Sequence, residues 1–164
     1  MEDRHLNRII SEQYGLFRLY QQLREHLLAA VTDDDLTFNP GGDNPTLGQL
    51  CVEIGETERA YIDSFRAFRL NFDYRQPDRS LEGNVAGLRA WLAALDEELY
   101  AAVAALSDDD ITSRLIDRNP DFRVPASVQL EIYKEALLLF YGKATVYLKL
   151  LGKTPSEQWH EWIG

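Results

Sequence analysis

An all-α fold, a four-helix bundle closed by a short C-terminal helix, is what the sequence predicts, and three observations carry it. Four long stretches repeat apolar residues three and four positions apart. Helix formers such as Leu, Ala and Glu outnumber β-branched residues. The segments between those stretches gather Asp, Asn, Gly and Pro, whose side chains and φ preferences favour turns. The 164 residues suit one domain over 1–164, long enough to bury roughly two thirds of its unfolded surface in a single core.

The first helix is expected over about Arg4 to Val31, with Leu6, Ile9, Ile10, Phe17, Tyr20, Leu23, Leu27 and Leu28 on one stripe and Gly15 a mild interruption. The run TDDDLTFNPGGDNP is a connector. Thr46-Leu-Gly-Gln49 has the form of a capping box, the Thr hydroxyl accepting from the third backbone N–H while the Gln side chain reaches back. A second helix therefore starts there and runs to about Leu70, with Leu47, Leu50, Ile54, Tyr61, Phe65 and Phe68 inward. The third, Leu81 to Leu106, has the cleanest period: Leu81, Val85, Leu88, Leu92, Leu95, Leu99, Ala102 and Leu106 alternate steps of four and three, the seam of a helix packed nearly parallel to its neighbours.

The linker SDDDITSRLIDRNPDFRVP carries only a short apolar patch at Ile111, Leu115 and Ile116, enough for half a turn of helix. The fourth helix, Ser127 to Gly152, is expected to bury Ile132, Ala136, Leu139, Phe140, Tyr147, Leu150 and Leu151, with Gly152 as its C-terminal stop. Thr154-Pro-Ser-Glu157 has the form of a second capping box, with Pro155 at the first helical residue of a terminal helix whose Trp159, Trp162 and Ile163 seal one end of the bundle. VTDDDLTFNP and LSDDDITSRLIDRNP correspond, as do NPTLGQL and VPASVQL. A pseudo-twofold duplication and generic connector chemistry both account for this.

Charge narrows the partners. With 17 basic against 27 acidic residues, a net charge of −10 and no Lys/Arg cluster, the counterion-release force for binding nucleic acid is absent, and an anionic membrane surface is as poor a partner. One cysteine, Cys51, excludes an internal disulfide and a multi-cysteine zinc site. The charged N-terminus and the lack of a stretch of about 18 apolar residues lead to the expectation of a cytoplasmic protein.

No residue set assembles a familiar catalytic motif. Glu53, Glu56 and Glu58 on the second helix and Glu131 and Glu135 on the fourth supply carboxylates, but the Glu-x-x-His pairs of di-metal bundles are missing from the long helices. Glu157-x-x-His160 lies in the tail and reads as a capping carboxylate and a surface histidine. His5 and His26 lie too far apart for one mononuclear site and read as solvated. Cys51 lies beside the buried stripe and reads as an inert thiol. The Asp triplets 33–35 and 108–110 lack the glycine and terminal glutamate of a calcium loop and read as helix starts.

LTFNP before the second helix, TLGQLCVEIGETERAYI within it, YGKATVYLKLLGKTP and the closing WHEWIG, in this order and spacing, make the chain resemble the DinB-like (DinB/YfiT) superfamily of bacterial four-helix bundles over essentially its whole length. The resemblance implies an up-down-down-up bundle with a long crossover between the second and third helices, and frequently a homodimer. It also implies a divalent metal, such as nickel or zinc, held by three histidines: one on the second helix about five residues before a glutamate, two spaced four apart on the fourth helix. Carried across, Glu58 matches the glutamate, Glu53 stands at the first histidine, and Gly142 matches a family glycine, which puts Ala136 and Phe140 at the paired histidines. Neither Ala nor Phe offers a lone pair, so no metal cofactor is expected. Glu53, Ala136, Phe140 and the neighbouring Glu135 are then candidate ligand-binding positions, and Glu53 is expected to bond a Tyr or Arg at the edge of the core. Two readings stay open: a metal-free protein acting through a small-molecule ligand or dimerisation, and a metal- and thiol-dependent transferase- or isomerase-like enzyme in which Glu53 replaces a ligand.

Overall fold

The computed structural model describes residues 6–164. Arg4 and His5, at the expected start of the first helix, lie outside the described residues.

Four long helices, α1 (Gly15–Ala30), α3 (Leu47–Ala67), α4 (Val85–Ala104) and α6 (Ala126–Leu150), form the body; α2 (Asp33–Leu36), α5 (Asp108–Ser113) and α7 (Glu157–Trp162) are short. α3 packs against α4 and α6, and α1 against α6 and α4, so the four close into a ring. The core runs through its middle on Phe17, Leu23, Leu27, Leu50, Ile54, Ile62, Leu88, Leu92, Leu99, Leu130, Leu137 and Leu148.

Helix ends follow the capping chemistry written in the sequence. At Thr46 the hydroxyl accepts from the Gln49 N–H at 3.1 Å, and the Gln49 side chain accepts from the Thr46 N–H at 2.9 Å. Both Asp triplets open helices by the same device, Thr32 paired with Asp35 and Ser107 with Asp110. The repeated VTDDDLTFNP and LSDDDITSRL segments thus share a local structure. α6 stops where Gly152 turns left-handed at φ +68, and the Lys153 N–H reaches the Leu148 carbonyl at 2.9 Å while that of Gly152 reaches Lys149 at 3.2 Å, a Schellman closure.

Six expectations need correction. The first helix is not regular: Ile10–Tyr14 is a π-helical turn continuous with α1, and Leu6 is exposed. The third helix breaks at Asn84, whose Oδ1 accepts from the Gly87 N–H at 2.8 Å, leaving Leu81 in a separate 3-10 turn, Arg79–Gly83. The second helix ends early because Phe68 takes φ +55. Its carbonyl and the Leu70 N–H then bond Asp117.

The fourth correction is the linker, which folds into α5 and an antiparallel hairpin, β1 (Ile116–Asn119) and β2 (Phe122–Val124), with Ile116 paired to Val124. Asn119-Pro-Asp121 makes its turn, the Asp121 N–H bonding Asn119 Oδ1. From β1, Arg118 donates to Gln129 at 2.7 Å, and Gln129 donates to the buried Ser64 hydroxyl at 2.9 Å. Fifth, the terminal helix is capped by Ser156, not Thr154; the Ser156 hydroxyl accepts from the Trp159 N–H. Trp159 is fully buried, with its indole N–H on Thr145 of α6, and Trp162 lies against Tyr20 of α1, so the terminal helix packs onto α1 and α6. Sixth, the buried face of α6 is rotated. Leu130, Tyr133, Leu137, Phe140, Tyr141, Ala144, Tyr147 and Leu148 are buried, whereas Leu139 and Leu150 are 70% and 59% exposed.

Candidate functional site

α3 and α6 each present residues at i, i+3, i+4 and i+7 to a cavity of about 170 Å³ between them: Leu50, Glu53, Ile54 and Thr57 from one helix, Ala136, Leu139, Phe140 and Lys143 from the other. This spacing gives one face per helix. Three of the four positions singled out in the sequence, Glu53, Ala136 and Phe140, therefore meet. Glu135 does not; it is exposed and absent from the lining. Phe140 is buried and Ala136 half-buried against the core.

Glu53 is exposed, and among the described residues its carboxylate has no hydrogen-bond or ion-pair partner, in contrast to the Tyr or Arg bond expected of it. Its backbone carbonyl accepts from the Thr57 hydroxyl at 2.9 Å. The donor chemistry of the cavity is thus one carboxylate, one Lys ammonium and one hydroxyl turned to the backbone. That set does not fit a transition-metal ion, which wants imidazole, thiolate or several carboxylates. Among the described residues there is no cluster of three or more His, Cys, Asp or Glu able to hold a metal. Glu53 and Thr57 also border a larger cleft of about 510 Å³, walled by Val52, Glu56, Phe72, Arg75 and Arg79. There Glu56 accepts from the Gln76 N–H at 2.9 Å and from Arg79 at 3.3 Å.

A second polar group lies inside the bundle. Arg24 of α1 donates to Glu58 of α3 and to Asp96 of α4, and Gln21 donates to the other Glu58 oxygen at 2.8 Å. The Glu58 side chain is fully buried, that of Arg24 4% exposed and that of Asp96 32% exposed. Burial alone would lower the Arg24 pKa, but Glu58 beside it holds the guanidinium charged, well above its usual range. Asp96 is pushed up to about 8, by burial first and then by the Glu58 charge against the pull of Arg24.

That shift fixes a pH dependence. The folded-state pKa of Asp96 lies above its unfolded value of about 3.9, so between roughly pH 4 and 8 the folded chain holds a proton that the unfolded chain has lost. Stability contributed by this group therefore falls as pH rises through that window and levels off above it. Urea midpoints at several pH values should show this decline, and Asp96→Asn should flatten it.

Sequence reasoning named Glu58 among the carboxylates of the second helix and as the match to the family glutamate, and missed Arg24 and Asp96. The signal was available on α1, where Phe17, Gln21, Arg24 and Leu28 share one face and are all buried. Polar residues at core spacing need buried partners. Of the other residues considered, Cys51 is buried with its thiol pushed up to about 12 by burial, in keeping with an inert thiol. His26, expected to be solvated, is half-buried with Nδ1 at 2.5 Å from the Ser156 hydroxyl, tying α1 to α7. His160 is exposed.

A family model described as the DinB superfamily matches residues 16–134, a stretch that includes Glu53 and Glu58 and stops before Ala136 and Phe140. Among solved structures, the crystal structure of a DinB-like protein, YjoA of Bacillus subtilis, is similar with a TM-score of 0.67 at 16% identity, covering 90% of this chain and 94% of that one. At that identity the likeness speaks to the fold. No curated protein matches the chain.

Proposed function

This chain belongs to the DinB superfamily, and from that premise we propose that it is a small-ligand-binding bundle working without the family's divalent metal, as a cytoplasmic homodimer. The observation that carries the reading is the lining of the α3–α6 cavity. Where the resemblance puts two imidazoles, Ala136 and Phe140 form an apolar wall. Glu53 and Lys143 stand on the facing helices, so the cavity offers an apolar floor with one negative and one positive group at its edge. Sites for small organic ligands combine apolar contact with a few polar groups that orient the ligand in this way. The exposed Val146 and Leu150 of α6, continuous with Leu139 at the rim of the cavity, supply apolar surface for a second copy. Among the described residues no helix is long and apolar enough to cross a membrane.

The test is the metal content of untagged protein, measured by inductively coupled plasma mass spectrometry, for the wild type and for Glu53→Ala. The expected result is substoichiometric metal in both and a change in stability within about 0.5 kcal/mol, because Glu53 is exposed and unbonded among the described residues. Stoichiometric metal that disappears in Glu53→Ala would overturn the proposal in favour of a metal-dependent enzyme with Glu53 as a ligand.

A further inference from the structure

A cleft of about 270 Å³ opens between α1 and α4, on another side of the bundle from the cavity above, lined by Tyr14, Arg18, Gln21, Gln22, Asp96 and Glu97 among others. Its inner wall reaches the buried Arg24, Glu58 and Asp96 group, since Gln21 and Asp96 belong to both. Two carboxylates there share a single guanidinium. With Arg18 exposed at the cleft rim and solvated, the inner group by itself is one positive charge short of balance.

An independent observation points to the same place. Tyr14 lines the cleft and is only 4% exposed, yet its hydroxyl has no hydrogen-bond partner. The hydroxyl is close enough to Glu58 and Asp96 that both carboxylates raise its pKa, after the larger effect of burial. Tyr133, fully buried beside the same group, also leaves its hydroxyl unpartnered. Buried polar atoms are nearly always bonded, so a phenol oxygen left unmet just behind the cleft wall, beside the partly exposed Asp96, can take a bond from a group that enters there. The π-helical turn Ile10–Tyr14 ends at this residue, and such turns recur at functional positions.

We propose that this cleft binds small organic ammonium ions, the ammonium seated between the Asp96 carboxylate and the Tyr14 hydroxyl. The ammonium donates to both oxygens and supplies the missing charge. The edge-on pair of Tyr14 and Tyr100, with centroids 5.2 Å apart, offers aromatic surface to the alkyl part and ring faces that attract a cation. An anion would meet Asp96 and Glu97 at the wall and a chain of net charge −10. Arg24 from α1 and Glu58 from α3 act on Asp96 directly, Arg18 and Glu97 share the cleft lining with it, and Tyr14 and Tyr133 are the neighbouring phenols. Burial raises the Asp96 pKa, so binding of the ammonium should displace a proton that Asp96 holds more readily than a solvated carboxylate does.

The test uses the full chain and three probes of nearly equal size: n-butylammonium, 1-butanol and butyrate, titrated by calorimetry and by amide NMR. Saturable binding is expected for butylammonium only, with shifts concentrated at Tyr14, Gln21 and Asp96. Its affinity should rise about tenfold from pH 7 to pH 9, following ionisation of a group near pH 8, with release of a proton seen as a dependence of the heat on buffer ionisation enthalpy. Tyr14→Phe keeps the ring and the fold and should weaken binding about threefold to tenfold, and Asp96→Asn at least tenfold. Equal binding of 1-butanol or butyrate, an affinity flat in pH, or unchanged affinity in Tyr14→Phe would overturn the proposal. Should Asp96→Asn fail to fold, the pH profile and Tyr14→Phe decide.

Discussion

Replacing Arg24 with Met should cost the folded chain about 3–5 kcal/mol, a large part of the stability of roughly 5–15 kcal/mol that a natural domain holds. Met keeps the length of the side chain and most of its apolar contact. What is lost is the guanidinium, which donates to Glu58 and Asp96 from inside the bundle. The fully buried Glu58 would keep only its bond from Gln21, and an ionised carboxylate with so little compensation is far costlier than the pair. Chemical denaturation at neutral pH measures the effect, and the double variant Arg24→Met with Glu58→Leu should recover a good part of it, because the fully buried carboxylate is then gone and the one left behind, Asp96, is 32% exposed to water. A cost below about 1 kcal/mol for Arg24→Met would place the network among ion pairs of negligible weight.

Gly48→Ala should destabilise by about 2–3 kcal/mol through a different physical route. A Cβ built on Gly48 would lie 1.7 Å from the carbonyl oxygen of Glu82 and 2.6 Å from its carbon. These are backbone atoms of the 3-10 turn Arg79–Gly83, which sits against the first turn of α3. No side-chain rotation relieves such a clash; the turn and the helix must move apart, dragging Leu81 and Leu47 with them. Gly142→Ala is the paired control. Nothing lies within 4 Å of its would-be Cβ in the middle of α6, so helix propensity alone acts and the variant should gain up to about 1 kcal/mol. Thermal melts of both should move in opposite directions, and a Gly48→Ala melting point equal to the wild type would refute the close approach.

The helices and their caps were legible because they are local chemistry. Thr46 with Gln49 and the stop at Gly152 act within a few residues of chain, and the Leu88–Leu92–Leu95–Leu99 seam reports burial through its period alone; the Asn84 cap is equally local but was masked, because Leu81 and Val85 carry the same period across it. The hairpin was harder to see. Asn119-Pro-Asp121 has the turn chemistry, but strands of four and three residues carry too few alternating positions for a period-two signal to stand out. The π-helical turn at Ile10–Tyr14 has no periodic signature of its own and shows only as a shift in which residues face inward.

The candidate site divides in the same way. Resemblance brought Glu53, Ala136 and Phe140 into consideration, and the structure gathers them around one small cavity while leaving Glu135 outside. On α6 the sequence reading turned the buried face too far toward Leu139 and Leu150. Every turn of that helix carries apolar residues, so the pattern has a weak direction and the neighbours settle which side is inside. Glu53 shows the limit from the other side, since a carboxylate beside Val52 and Ile54 reads as half-buried until the cleft beside α3 exposes it.

By itself the sequence determined the all-α class, the four long helices and most of their end points, because propensity and capping are properties of short segments. Only the tertiary structure decided that Arg24, Glu58 and Asp96 meet, that Tyr14 is left without a partner beside them, and that Gly48 must stay small. Each of these depends on which helices become neighbours, and a charge acquires its cost, and a cleft its chemistry, only when residues far apart in the chain are brought together and shielded from water.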